Sequence, residues 1–180
     1  MYWYWFTNIK GIGRKKQQLL LEFLTDIEEV WKITEKELAK LKILSEKDIS
    51  SLINSRNEKQ ILKEFENLKK WKVEFLSIEN KKYPAKLKNI YDYPYGIYYS
   101  GNPINSNSLS IAVIGARNCS DYGAEMATYF GRELSKAGVQ VISGLARGID
   151  TYAHKGALMA KGNTIGVLGN GIDICYPIEN

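Results

Sequence analysis

The sequence predicts an α/β chain in two parts: a small helical domain over residues 1–72, then a domain over residues 73–180 built on an incomplete parallel sheet. Two observations carry this. Apolar residues recur at helical spacing through the first part. From Ser110 onward, short continuous apolar runs alternate with amphipathic segments, and glycine follows each run.

In the first part, Leu19, Leu20, Phe23, Leu24 and Ile27 follow Gly11 and Gly13 at helical spacing. Thr34 and Glu37 form a capping box, the hydroxyl accepting from the third helical N–H while the glutamate reaches back. Leu38 and Leu41 continue that helix. A further helix is predicted over about Glu58–Lys70, with Ile61, Leu62, Phe65 and Leu68 on its apolar face. Residues 1–80 hold 15 basic and 13 acidic side chains. That interleaving is typical of solvated helix faces.

Val73–Ile78 and Gly96–Ser100 read as strands, with Pro84, Pro94 and Pro103 excluding long helices around them. Ile111–Gly115 is a third strand, its apolar run suiting burial on both faces of a sheet. A helix from Asp121 to Lys136 follows, ended by Gly138. Val139–Gly144 is a strand, Asp150–Lys161 a helix and Thr164–Gly169 the last strand. Right-handed crossovers make this a parallel βαβαβ unit.

The totals set limits. The 180 residues carry a formal charge of +5, which suits an anionic partner without demanding one. The single histidine and two distant cysteines exclude a zinc cluster, and no cofactor is expected. The aromatic start lacks a signal-peptide pattern, and no apolar run reaches the ~20 residues of a membrane span. A cytoplasmic chain is expected.

Three loops carry the chemistry. In a parallel sheet they emerge on one edge, where ligands bind. They run from Gly115 to Gly123, from Ser143 to Asp150 and from Gly169 to Asp173. Glycines allow close backbone approach, two of the loops enter helix N-termini, and Arg117 and Arg147 offer guanidinium forks to phosphate. Neither a dinucleotide fingerprint nor a P-loop is present. His154, four residues past Asp150, reads as a packing or loop-bracing residue rather than a catalyst. Asp121 and Asp150 read as helix-start residues. Ile9–Lys16, with its two glycines and following cations, reads either as a phosphate-binding helix N-terminus or as a plain turn. Tyr91, Tyr93, Tyr95, Tyr98 and Tyr99 read mainly as packing residues, with base stacking the alternative.

The segments IAVIGARNCSDYG, VISGLARGIDTYAHKGAL and GNTIGVLGNGIDICYPIEN resemble, in order and spacing, the signature blocks of the DprA/Smf family. Tyr83–Leu87, Asp92–Pro94 and Tyr98–Asn102 are similar to that family's lead-in. The resemblance implies a Rossmann-like domain behind a SAM-like or helix-hairpin-helix-like helical domain. It implies a non-enzymatic, single-stranded DNA-binding protein acting in natural transformation and DNA recombination. It also implies loading of RecA recombinase as partner and a homodimer in complete members. The DNA contacts it implies are Arg117, with Gly115, Ser143, Gly144 and Gly148 lining the same groove, and the loop edge itself adds Asn118, Arg147, Gly169 and Asn170 as candidate contacts. Family sheets continue past the last block, so a truncated sheet with an uncovered apolar edge strand is expected, and its dimerisation is not. The alternatives are an enzyme similar to nucleotide phosphoribohydrolases, whose P-G-G-x-G-T block does not occur here, and an inactive truncated fragment.

Overall fold

The computed structural model describes residues 1–105 and 107–180. They form two compact units, Met1–Ile104 and Asn105–Asn180.

The first unit begins with a helix that periodicity does not announce. Helix α1 (Tyr2–Thr7) is formed by the aromatic N-terminus. Trp5 and Phe6 are buried, Trp5 packs edge-on to Trp31 at 4.8 Å, and its indole N–H donates to Ser55 Oγ at 2.7 Å. Each such ring pair adds about 0.5–1.5 kcal/mol beyond area burial. The apolar run around Leu19–Ile27 is two helices, α2 (Arg14–Phe23) and α3 (Ile27–Lys32). The break is a cap: Asp26 adopts an extended backbone and its carboxylate accepts from Glu28 N–H. Helix α4 (Glu35–Leu41) carries the expected Thr34–Glu37 capping box. Helix α5 (Glu46–Asn54) has a second one, from Ser45 and Asp48. In α6 (Glu58–Lys70), Ile61 and Leu68 are buried, but Leu62 is 41% exposed, one position off the apolar stripe.

Strands β1 (Val73–Ser77) and β2 (Gly96–Ser100) pair antiparallel. They belong to the first compact unit, beyond the 72/73 division read from the sequence. Aromatic packing is the reason: Tyr4 of α1 meets Phe75 at 5.5 Å and Tyr98 at 6.3 Å. Leu76, Tyr83 and Tyr99 form a small core of their own.

The second unit is the expected βαβαβ. Strands β3 (Ser110–Ala112), β4 (Gln140–Ser143) and β5 (Thr164–Gly166) pair in parallel in that order. Helices α7 (Asp121–Lys136) and α8 (Ile149–Met159) cross closely. A Cβ on Gly131 would run into the backbone of Ala153, and one on Gly156 into that of Thr128. Val141, Ala153 and Ala157 form the core beneath them. β3 is not buried on both faces: Ile111 is 41% exposed, and Ile114 just beyond it 74%. The first-strand apolar run is thus only half-covered by the two helices.

Candidate functional site

The loops after β3, β4 and β5 lie at the same end of the parallel sheet, as parallel pairing requires. The first and second are stitched together. Ile149 N–H donates to Ala116 C=O at 3.2 Å, Ser143 Oγ donates to Val113 C=O at 2.6 Å, and a Cβ on Gly115 would sit 2.6 Å from Ile149. Ser143 is buried, so its hydroxyl is spent on holding strands rather than facing a ligand.

The second loop is organised by a residue that sequence reasoning placed only at the helix start. Gly148 is the N-cap of α8, and Ser120 that of α7. Asp150, buried in the first turn of α8, accepts from Gly144 N–H at 3.0 Å and Ala146 N–H at 3.4 Å. Those two amides, expected to face an anion, are already paired. The carbonyls of the same loop are held by Asn180 and Thr151. Asn180 Nδ2 donates to Leu145 C=O at 2.9 Å and to Thr151 Oγ1 at 2.6 Å, while Thr151 Oγ1 donates to Ala146 C=O at 2.7 Å. This double brace keeps Leu145 at φ 57°, a conformation that costs a non-glycine residue about 1–2 kcal/mol.

The two arginines differ. Arg147 Nε donates to Glu179 at 2.7 Å, which raises the arginine; the glutamate is held below its usual pKa first by its own backbone N–H and then by Arg147. Both are exposed, so solvent screening leaves the pair little weight in stability. Arg117 is exposed and, among the described residues, has no ion pair. It is the loop guanidinium open to an anion. Asn118 is exposed beside it. Asn170 turns its amide inward, donating to Gly171 and Ile174 C=O, while Gly169 is exposed with open space around it.

His154 is a brace. Thr164 Oγ1 spends its proton on Val141 C=O at 2.9 Å, so at the 2.6 Å contact the proton must come from His154 Nδ1. That leaves Nε2 a buried lone pair without a partner among the described residues. Burial pushes the imidazole below its ordinary pKa, and Asp150 pulls weakly the other way. The unfolded chain therefore takes up a proton first on acidification. Stability is full above about pH 6.5 and falls below it, toward the depressed folded pKa. The urea midpoint of the second unit should drop from pH 7 to pH 5 in wild type. In His154→Asn, which keeps a donor to Thr164 but cannot titrate, that slope should flatten. Equal slopes would refute the assignment.

The helix-start turn at Ile9–Lys16 lies in the first unit and is largely structural. Arg14 donates to Tyr93 C=O at 2.6 Å and stacks 4.0 Å from the Tyr95 centroid, and Lys16 pairs with Asp48 at 2.7 Å. Of its four cations only Lys16 has an ion pair among the described residues; Arg14 is spent on Tyr93 and Tyr95, which leaves Lys10 and Lys15. Tyr95 and Tyr99 are buried, Tyr93 lies under Arg14, and Tyr98 accepts from Asn8 with its phenol pushed up to about 12, chiefly by burial. Of these five, Tyr91 is the most open for stacking, at 91% exposed. Among the described residues there is no cluster of metal-ligating side chains, and no helix is long and apolar enough to cross a membrane.

The family model described as DNA recombination-mediator protein A matches residues 74–180. The chain belongs to this DprA/Smf family. The match begins within the first compact unit, at β1. Protein Smf of Borreliella burgdorferi is 34% identical over 174 residues, 96% of this chain and 54% of that one. Protein Smf of Synechocystis is 30% identical over 99% of this chain and 46% of its own length. The chain thus spans about half the length of these curated relatives. Among solved structures, the DNA processing protein A of Streptococcus pneumoniae superposes over the whole chain and 62% of its own, with a TM-score of 0.80 at 28% identity. A Helicobacter pylori DNA processing protein A, described for its single-stranded DNA binding mode, matches 59% of this chain and 47% of its own, with a TM-score of 0.50 at 28% identity.

Proposed function

We propose that this DprA/Smf family chain binds single-stranded DNA at the loop edge of its parallel sheet, as a binding protein without catalysis. The observation that carries this is Arg117, an exposed guanidinium without an ion pair among the described residues, on a loop fixed by the Ala116–Ile149 stitch. The Helicobacter pylori relative is described as binding single-stranded DNA, which supports the same ligand here. Gly115, Asn118, Gly148 and Gly169 line the edge in this reading. Gly144 and Ser143 shape it from within, while Arg147 joins only by leaving Glu179. His154 and Asp150, the groups an enzyme would draw on, are occupied in holding the fold. Family membership extends the proposal to a cytoplasmic role in natural transformation, to RecA recombinase as the partner receiving the strand, and to a homodimer of complete members.

The test is fluorescence anisotropy with a labelled single-stranded oligonucleotide at two salt concentrations. Arg117→Ala should weaken binding about tenfold, the worth of one charge-assisted contact. The slope of log affinity against log salt should flatten by about 0.7, the value for one phosphate of a single strand. Unchanged binding by folded Arg117→Ala would remove the loop edge from the interface.

A further inference from the structure

The charge of the chain is not where the loops are. Residues 105–180 hold six basic and six acidic side chains, so the unit that carries the loop edge is electrically neutral. The whole excess of five lies in residues 1–104, and four of it in residues 69–92, where seven lysines face three carboxylates. Single strands are held by positive charge along the backbone and by aromatic faces for the bases. The charged stretch supplies both. It opens with Lys69 and Lys70, in the last turn of α6, and with Trp71 and Lys72, between α6 and β1. Trp71 is 65% exposed, whereas the other three tryptophans are half-buried or buried. None of the three lysines has an ion pair among the described residues. Lys72 stands at φ 55°, a left-handed turn residue that ends the helix and projects the tip.

Lysines in the last turn of a helix complement its dipole, which accounts for Lys69 and Lys70. It accounts neither for an exposed indole nor for Lys72 outside the helix. We propose that Trp71, with Lys69, Lys70 and Lys72, is a single-strand contact on the first unit: the indole stacks on a base and the lysines neutralise adjacent phosphates. The inference rests on the reading of the protein as a single-strand binder, and it divides the labour. The loop edge fixes one phosphate with Arg117, and the first unit supplies the charge.

The experiment titrates the full chain with oligothymidylate, reading tryptophan emission and anisotropy. Emission of the wild type should be quenched. Trp71→Ala should abolish the quench and weaken binding five- to tenfold, and Trp71→Phe, still able to stack, should recover most of the affinity. Lys69→Ala/Lys70→Ala/Lys72→Ala should flatten the salt slope by about 2, three phosphate contacts at about 0.7 each. Wild-type affinity in folded Trp71→Ala would overturn the proposal. So would a blue shift on phosphatidylglycerol vesicles without quenching by DNA, which would assign the tip to a membrane surface. Arg117→Ala separates the two readings. If it alone weakens binding, the tip is not a contact; if Trp71→Ala alone does so, the loop edge is not.

Discussion

Gly148→Ala is expected to lower the stability of the second unit by roughly 2–4 kcal/mol and to abolish single-strand binding at the loop edge. Gly148 stands at φ 76° and ψ −131°, a region that side chains with a Cβ rarely enter. The strain alone is of order 1–3 kcal/mol. In addition, the new methyl would meet backbone: the carbonyl oxygens of Ala116 and Arg117 and, at 2.7 Å, the Arg117 carbonyl carbon. Backbone yields only by moving the first loop, which breaks the 3.2 Å bond from Ile149 to Ala116 and displaces Arg117. Two controls separate these causes. Gly138 has φ 77° but open space, so Gly138→Ala should show strain only, about 1 kcal/mol. Gly169 has neither constraint, so Gly169→Ala should stay within about 0.5 kcal/mol. Urea midpoints followed by helical circular dichroism should rank the variants in that order. Equal midpoints for Gly148→Ala and Gly169→Ala would show that the first two loops are not coupled there.

Much of the scaffold was legible because its signals are local. The capping box at Thr34, the stripe from Glu58 to Lys70 and the three apolar runs of the βαβαβ unit each depend on residues a few positions apart. Helix α1 was not legible, since an unbroken aromatic run has no polar face to set a period. The break between α2 and α3 turns on Asp26, whose capping role shows only once the backbone bends there. The site divides in the same way. Arginine after a glycine signals phosphate, so Arg117 and Arg147 were equally visible. What distinguishes them is Glu179, 32 residues from Arg147. Likewise, the spending of Ser143 on Val113 and of Asn170 on its own turn depends on contacts that no spacing rule encodes. The uneven charge was readable, but gained meaning only when the units were defined: a division at 104/105 leaves the loop unit neutral.

Asp150 offers the second large effect, and it separates a loop-building carboxylate from a chemical one. Asp150→Ala removes the acceptor of the Gly144 and Ala146 N–H groups, two part-buried bonds to a charged group, each worth about 1.5–3 kcal/mol. A loss of roughly 2–4 kcal/mol is expected, with weaker DNA binding as the second loop loses its shape. Asp150→Asn is nearly isosteric and keeps an oxygen for both amides, so its cost should stay under about 1.5 kcal/mol. Gly144 limits any rearrangement, because even a Cβ there would lie 2.9 Å from the carboxylate oxygen. Binding in Asp150→Asn should stay close to wild type, or tighten slightly as a negative charge leaves the phosphate edge. A general acid or base would behave oppositely, since an amide neither donates nor accepts a proton at neutral pH, and the two variants would then fail alike. Urea unfolding and anisotropy on the same preparations decide it. Asn close to wild type and Ala far below would establish Asp150 as the acceptor that shapes the second loop, and equal failure would reopen the case for chemistry at this edge.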